Sequence, residues 1–189
     1  MRRSLVASIL LALVSPALAQ DDRWIEPGGR YTLQDDHRAW RREEPPSDSE
    51  FALELRGLGD NGVDNLHRCG ARQVEFTLVA DPDQRKLNAY VEVAYSAEGA
   101  AAFFRDAQIG EVSHRLVNDV RVADIELVAI TPGPKFRVRY RIFVLEMGGG
   151  LAVYHELRCT DLMPVSIEDA RASDAFLASL QFRRDEIAK

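Results

Sequence analysis

The sequence lacks the spacings that identify common catalytic and metal sites. Its only two cysteines, Cys69 and Cys159, do not form a C-x-x-C pair, so nothing poises a reactive thiolate. No G-x-S-x-G nucleophile elbow is present. No two of the four histidines have the i, i+2 or i, i+4 spacing that brings imidazoles to one metal: His37, His67, His114 and His155. We therefore predict no catalytic residue, no metal and no cofactor.

A basic run is also missing. Asp and Glu number 30 against 24 Lys and Arg, which gives a formal net charge of −6. An acidic surface repels nucleic acid, and no cluster of basic residues interleaved with aromatics offsets it. We expect no nucleic-acid partner.

One long apolar run occurs, and it lies at the amino end. The features of a secretory signal follow one another in order. The basic pair Arg2-Arg3 comes first, then an apolar core at residues 5–14, the helix breaker Pro16, and the small residues of Ala17-Leu18-Ala19. The apolar core of about ten residues is too short for a stable membrane span. We predict that residues 1–19 are a signal peptide cleaved before Gln20, and that the protein is periplasmic. The general pathway and the twin-arginine pathway both stay open, while no cysteine follows that could carry a lipid anchor.

Removal of residues 1–19 would leave 170 of the 189 residues and change the formal charge from −6 to −8. This length fits one domain. We predict a flexible segment at residues 20–29, a single globular domain at 30–183 and a carboxyl-terminal tail at 184–189.

The two cysteines are expected to form a disulfide, because paired thiols are the rule in an oxidising compartment. The bridge would close a loop of about ninety residues and contribute several kcal/mol at most. Two separate buried thiols are the alternative.

Period-two apolar alternation dominates the chain, which is typical of strands with one wet face. We predict strands at residues 30–33, 51–55, 73–78, 87–95, 115–122, 124–130, 136–142 and 151–160, with a last short strand at Phe182. Turns are predicted at residues 81–83, where two strands would form an antiparallel pair, and at 148–150, which resembles a hairpin rather than a phosphate loop. Residues 59–65 are rich in Asp, Asn and Gly and indicate a turn, with calcium binding as the alternative.

Two helices are predicted between these strands. Ser96 is a favourable N-cap for residues 97–108, and Ser166 with Asp169 resembles a capping box for a helix that runs to Leu180. Tight turns between strands favour an α+β fold with a mainly antiparallel β-sheet covered by helices on one or both faces.

The most specific polar feature is an arginine row. Arg137, Arg139 and Arg141 alternate with apolar residues, so their side chains should share one face of a strand. Arg158 on the next strand could join them, and Glu156 could neutralise part of the charge. The row is either a solvated face with cross-strand ion pairs or a strip that binds an anionic partner.

Several short phrases resemble the Mog1/PsbP/DcrB-like superfamily. They are the opening Tyr31-x-Leu33 with Trp40, a strand that ends in residues 154–159, and a helix that closes on residues 176–182. The resemblance implies an α/β/α sandwich around an antiparallel sheet, and a domain used for binding or assembly rather than catalysis. The matching positions are packing positions, so no functional residue is carried over.

Three functional hypotheses follow. The leading one is an exported non-enzymatic binding or scaffold module whose partner is a protein or small ligand of the periplasm. The second is a carrier of a small apolar or amphiphilic ligand in a pocket lined by five aromatic residues: Phe103, Phe104, Phe136, Tyr140 and Phe176. The third is a hydrolase centred on His155 or His114, since catalytic triads can form across a fold.

Overall fold

The computed structural model describes residues 23–45, 49–58, 66–77, 83–130, 132–146 and 150–183. The signal segment 1–19, the turn at 59–65, most of the turn at 81–83, Gly148 with Gly149, and the tail 184–189 lie outside the described residues. The predictions made for those segments stay predictions.

Within the described ranges the chain forms ten strands and three helices. Their order is β1 (Arg23–Ile25), β2 (Tyr31–Gln34), β3 (Trp40–Glu43), β4 (Phe51–Gly57), β5 (Arg68–Thr77), α1 (Gln84–Ala94), α2 (Ala97–Phe103), β6 (Ala107–Val117), β7 (Val120–Ala129), β8 (Phe136–Glu146), β9 (Leu151–Leu162), α3 (Ile167–Ala178) and β10 (Gln181–Phe182). A seven-stranded sheet has the order β3-β4-β5-β9-β8-β7-β6, and a three-stranded sheet has the order β1-β2-β10. All of the strand pairings are antiparallel.

Strand β8 of the large sheet is buried on both faces. Ile142 and Val144 point towards a cluster with α1 and α2. Phe143 and Leu145, which alternate with them, point towards α3 and the small sheet. Helices therefore lie on both sides of one antiparallel sheet. The α+β class and the α/β/α arrangement are confirmed.

Helix α1 occupies a segment that the sequence analysis predicted to be a strand, and that prediction is wrong. Leu87, Val91 and Tyr95 are buried at four-residue intervals, whereas Val93 is exposed. The apolar residues of this segment fit both a period of two and a helical period, so the alternation misled the interpretation. Asp83, interpreted as part of a turn, is the N-cap, and its side chain accepts a hydrogen bond from the Lys86 backbone nitrogen.

Other boundaries also differ. Ser96 caps α2 as predicted, but the helix ends at Phe103 and β6 begins at Ala107. The first strand is β1, which lies inside the segment 20–29 that was predicted to be flexible.

The carboxyl-terminal elements follow the predicted pattern. The hydroxyl of Ser166 accepts a hydrogen bond from the backbone nitrogen of Asp169 at the start of α3. Phe176 and Leu180 are buried, and Phe182 lies in β10. Helix α3 is therefore held on the sheet by the apolar side that its sequence predicts.

Candidate functional site

A disulfide joins the two central strands β5 and β9. Cys69 and Cys159 lie directly opposite one another in the strand register, and their sulfurs are bonded. Both residues are buried in the cluster beneath α3. The predicted bridge is therefore present, and it fixes two neighbouring strands at one point.

Four residues flank the bridge in sequence and point to the other face of the sheet. Arg68 pairs with Thr160, and Gly70 pairs with Arg158. Side chains alternate along a strand, so neighbours of a core-facing cysteine must face away from that core. The bridge thus sets the spacing of two arginines, a threonine and a glycine on the opposite face.

These residues line a pocket of about 210 Å³, which we name the Gly70 pocket: Phe51, Glu54, Arg68, Cys69, Gly70, Arg158 and Thr160. Residue 70 contributes no side chain to this pocket, because β4 approaches it closely. A Cβ atom there would lie 2.7 Å from the carbonyl oxygen of Leu53 and 2.9 Å from the ring of Phe51. Any larger residue would disturb the backbone of β4, so glycine is required by the close approach of these strands.

Arg158 is held in place on one wall of this pocket. Its guanidinium carbon lies 4.5 Å from the centroid of the Phe51 ring, a cation–π arrangement that restricts the side chain. Behind it, Glu156 is buried, and burial raises the pKa of Glu156 although Arg158 and Arg72 oppose the rise. Burial also raises the pKa of Tyr140.

The position of Arg158 corrects one expectation. Arg158 lies opposite Tyr140, and Glu156 opposite Ile142, so both belong to the face that carries α1 and α2. Arg139 lies opposite Cys159, on the other face. Successive side chains of a strand point to opposite faces, so Arg158 and Glu156 lie on the opposite face of the sheet from the arginine row. Arg158 therefore does not extend the row, and Glu156 does not neutralise it.

The pocket lies within a larger charged surface. The outward side chains of β3, β4, β5 and β9 around it form what we name the open face: Arg41, Glu43, Glu54, Arg56, Arg68, Arg72, Arg158 and Thr160. On the same side of the sheet, α1 packs on β7 and β8, and α2 packs on β6. In the part of the chain that the structure describes, the open face is therefore the half of this side without a packed helix.

Ion pairs organise the open face. Arg56 contacts Glu43 at 2.9 Å, and Arg68 contacts Glu54 at 3.5 Å. Arg41 is exposed at the edge. A third pair joins Arg72 to Glu50 at 2.7 Å. These pairs are partly exposed, and ion pairs near the surface contribute little stability, so their guanidinium groups can exchange one carboxylate for another at low cost.

The predicted arginine row is enclosed between the sheet and α3. Arg139 pairs with the Asp174 carboxylate on α3, and the Arg141 guanidinium donates both to the Leu177 carbonyl oxygen and, at 2.6 Å, to Asp124. Burial lowers the pKa of Arg141, and the hydrogen bond to Asp124 opposes that effect. The row therefore attaches α3 to the sheet, and its binding of an external anion stays a prediction.

Arg137 belongs to a buried polar cluster that the sequence analysis missed. Asp161 is 1% exposed. Its carboxylate accepts hydrogen bonds from Arg137 Nη2 at 2.8 Å and from the Ser173 hydroxyl at 3.1 Å. His67 Nδ1 lies 2.5 Å from the same carboxylate, and its ring stacks on Trp40. Burial raises the pKa of Asp161, but hydrogen bonds from His67 and Arg137 outweigh burial and hold it below the usual value.

This cluster is not a catalytic triad. His67 and Ser173 both contact Oδ1 of Asp161, so the serine is not hydrogen-bonded to the histidine that would have to activate it. Its contacts instead connect β8, β9, α3 and the residue that precedes β5, which indicates a structural role.

The two histidines of the hydrolase hypothesis lie elsewhere. His155 is fully buried, stacked on Phe143 and edge-on to Tyr31, and burial lowers its pKa to about 3. His114 lies on β6 opposite Ala123. Among the described residues, both ring nitrogens of His155 and Nε2 of His114 have no hydrogen-bond partner.

The five aromatic residues predicted to line one cavity are divided between the two sides of the sheet. Phe104 stacks on Tyr140 and contacts Phe103, on the α1 and α2 side, and Phe136 lies on the same face of β8 as Tyr140. Phe176 lies on the opposite side, in the α3 cluster. A single cavity lined by all five is therefore excluded by the sheet itself.

Phe176 does line a different pocket, of about 390 Å³, between α3 and strands β2 and β3. Trp40 forms part of the same wall, and Asp36, Glu168 and Arg171 surround it. We name this the α3 groove. The α3 groove is larger than the Gly70 pocket, but the rings of Trp40 and Phe176 are almost fully buried.

The Gly70 pocket could have been found from the sequence. Once a Cys69–Cys159 bridge is assumed, strand alternation requires the neighbours of both cysteines to meet on the opposite face. The signal is the arginine, glycine and threonine beside the two cysteines, whereas the sequence prediction for the bridge concerned stability alone.

Two further kinds of site are absent from the described ranges. No cluster of His, Cys, Asp or Glu there has an arrangement suited to a metal ion. No helix among these residues is long and apolar enough to cross a membrane.

Comparison with known proteins identifies the fold. No protein-family model matches the chain, and no curated protein matches it. The crystal structure of LpqN, involved in cell envelope biogenesis of Mycobacterium tuberculosis, is similar with a TM-score of 0.60 and 14% identity, over 82% of this chain and 85% of that chain. The solution structure of cyanobacterial PsbP (CyanoP) from Synechocystis sp. PCC 6803 has a TM-score of 0.47 and 11% identity, over 85% and 91%. The Mog1/PsbP/DcrB-like resemblance is confirmed as a likeness of fold.

Proposed function

We propose that this protein is an exported, non-enzymatic binding or scaffold module that docks an acidic partner protein on the open face. One observation carries the proposal. The helices leave half of one sheet face without a packed element in the described chain, and that half presents five arginines from four adjacent strands: Arg41, Arg56, Arg68, Arg72 and Arg158.

The charge of the open face is opposite to that of the whole chain. The chain has a net charge of −6, whereas the open face has five arginines against four glutamates. Glu43 and Glu54 point outward, Glu50 pairs with Arg72, and Glu156 is buried opposite Arg72. Arginine is suited to bidentate contact with carboxylates. Such a patch on an acidic protein steers an acidic partner to one orientation and repels it elsewhere.

Charge reversal tests this proposal. Tagged protein carrying Arg41→Glu, Arg56→Glu and Arg72→Glu would be compared with wild type in capture from the periplasm of its own cells, followed by affinity measurement with the captured partner. A control carrying Arg85→Glu, Arg105→Glu and Lys135→Glu makes the same change in net charge at exposed positions outside the open face.

We expect the open-face variant to lose the partner and the control to retain it. Wild-type affinity should fall as salt is raised, because exposed charge pairs are screened. Equal loss in both variants, or retention in both, would show that the open face does not select the partner.

Export is part of this proposal. A disulfide between two central strands suits an oxidising compartment, and the first residues have the order of a secretory signal. Amino-terminal sequencing of the periplasmic protein should begin at Gln20 or within a residue or two. A full-length chain retained in the membrane fraction would contradict export by cleavage.

A second candidate function is a carrier of a small amphiphilic ligand in the α3 groove. It is supported by the volume of the groove and by the aromatic wall of Trp40 and Phe176. Native mass spectrometry of protein purified from its own periplasm would detect such a ligand. Replacement of Ala172, on the wall of the groove, by a larger residue should then displace it, and an unoccupied wild-type protein would argue against a carrier.

A further inference from the structure

We propose that the Gly70 pocket is a binding site for one carboxylate group, which the acidic partner supplies from an aspartate or glutamate side chain or from its chain terminus. This inference rests on the proposed function and names the chemistry at the centre of the open face.

The donors around the pocket have complementary geometry. Arg158 lies on one wall with its guanidinium packed against Phe51. Arg68 and the Thr160 hydroxyl lie on β5 and β9 at directly opposite positions. Two guanidinium groups and a hydroxyl supply more donors than one carboxylate needs, and charged donors form the stronger hydrogen bonds.

The charge of the pocket selects a monoanion. Arg68 and Arg158 contribute two positive charges, and Glu54 contributes one negative charge, paired with Arg68 at 3.5 Å. The residues that line the pocket therefore carry a charge of about +1, and the carboxyl of Glu156 behind Arg158 can only reduce it. A carboxylate would neutralise it, whereas a phosphate dianion would leave an excess negative charge next to Glu54.

The pocket is also held rigid from below. The disulfide joins Cys69, which follows Arg68, to Cys159, which lies between Arg158 and Thr160. Strands β5 and β9 therefore cannot separate when a ligand enters the pocket. A fixed pair of strands reduces the ordering cost of binding. This gives the bridge a part in recognition in addition to its part in stability.

The test is a titration of isotopically labelled mature protein, followed by backbone amide and arginine Nε–H resonances. The probes are acetyl-Glu-amide, acetyl-Gly with a free terminal carboxylate, glutarate and inorganic phosphate, with acetyl-Gln-amide as the uncharged control. Each would be added up to ~50 mM, because one carboxylate is expected to bind with a Kd in the millimolar range.

We expect the carboxylate probes to shift resonances of residues 68–70 and 158–160 together with the Nε–H of Arg158. The uncharged probe should not. Tighter binding of the side-chain or the chain-terminal probe identifies which source the pocket prefers. The absence of saturable shifts for every carboxylate, shifts confined to other regions, or tighter binding of phosphate would overturn the proposal.

Two variants separate the pocket from the rest of the molecule. Arg158→Gln should weaken carboxylate binding by at least about tenfold, because it removes a charged donor. Thr160→Val, which keeps the shape of the side chain, should weaken it by about threefold. Arg105→Gln, at an exposed position in the turn between α2 and β6, should leave it unchanged. Equal binding by wild type and Thr160→Val, with Arg158→Gln folded and also unchanged, would overturn the assignment.

The result stays distinguishable from the test of the proposed function. If pocket variants keep the partner while reversal at Arg41, Arg56 and Arg72 abolishes capture, docking on the open face holds and the carboxylate site is wrong. If both sets retain the partner, docking itself fails.

Discussion

Removal of the Asp161 carboxylate should destabilise the protein more than any other single charge change described here. Asp161 is buried and accepts from Arg137 and Ser173, with His67 at 2.5 Å. Asp161→Ala would leave a cation, a hydroxyl and an imidazole without their acceptor. The loss of one partner of a buried charge pair costs about 3–5 kcal/mol.

Urea unfolding at pH 7 measures this cost. For a chain of this length, about 3–5 kcal/mol corresponds to a fall in Tm of roughly 6–20 °C. Asp161→Asn should cost less, because an amide oxygen can still accept one of the hydrogen bonds. Asp174→Asn is the matched control, since the Asp174 side chain is 68% exposed although it also contacts the arginine row, and it should cost about 0.5 kcal/mol.

The reasoning would be refuted if Asp161→Ala cost less than about 1 kcal/mol, or no more than the Asp174 control. A double-mutant cycle with Arg137→Gln should give a coupling energy of at least about 1 kcal/mol, because the two side chains are in contact.

Three further predictions concern other parts of the fold. Cys159→Ser should lower stability by about 2–5 kcal/mol, and peptide mapping without reductant should recover the Cys69–Cys159 peptide from wild type only. Burial lowers the pKa of His155 from 6.5 to about 3 in the folded protein. The free energy of unfolding is therefore at its full value above about pH 6.5 and falls by up to about 1.4 kcal/mol per pH unit as the pH drops from there towards 3. His155→Leu should show a shallower fall in urea midpoint between pH 7 and pH 4.5, and an unchanged slope would contradict this. Asp119 has a φ of 69° in the turn between β6 and β7, so Asp119→Gly should raise stability by a few tenths of a kcal/mol up to about 1 kcal/mol in thermal unfolding, and a loss would show that the side chain has a role of its own.

Much of the fold could be predicted from local pattern. The alternation of β8 was unambiguous, because Arg137, Arg139 and Arg141 are polar at every second position. The N-cap of α3 was equally clear, since Ser166 has Asp169 three residues later. Each of these signals depends only on residues that are close together in the chain, so it can be read from the sequence without knowledge of the fold.

Helix α1 was missed for a physical reason. Its apolar residues coincide with both periods, and its N-cap, Asp83, follows a proline that suggested a turn. Only the packing of Leu87 and Val91 against the sheet decides between a strand and a helix, and that packing is a property of the whole fold.

The arginine row shows the other limit. Alternation predicted which side Arg137, Arg139 and Arg141 share, but it could not predict what covers that side. Their carboxylate partners Asp161, Asp174 and Asp124 come from β9, α3 and β7, so the fold of several elements decides what covers the row. The Gly70 pocket required the strand register as well, because it depends on Cys69 lying opposite Cys159.

In-cell photocrosslinking from the open face tests the central claim most directly. A photoreactive residue in place of Arg41 would be compared with the same residue in place of Val93 on α1 and of Ala175 in the α3 groove, all exposed positions. We predict that the Arg41 position yields one dominant crosslinked protein with an acidic surface, and that the other two positions do not. A dominant crosslink from the α3 groove, or equal crosslinking from all three positions, would contradict the account.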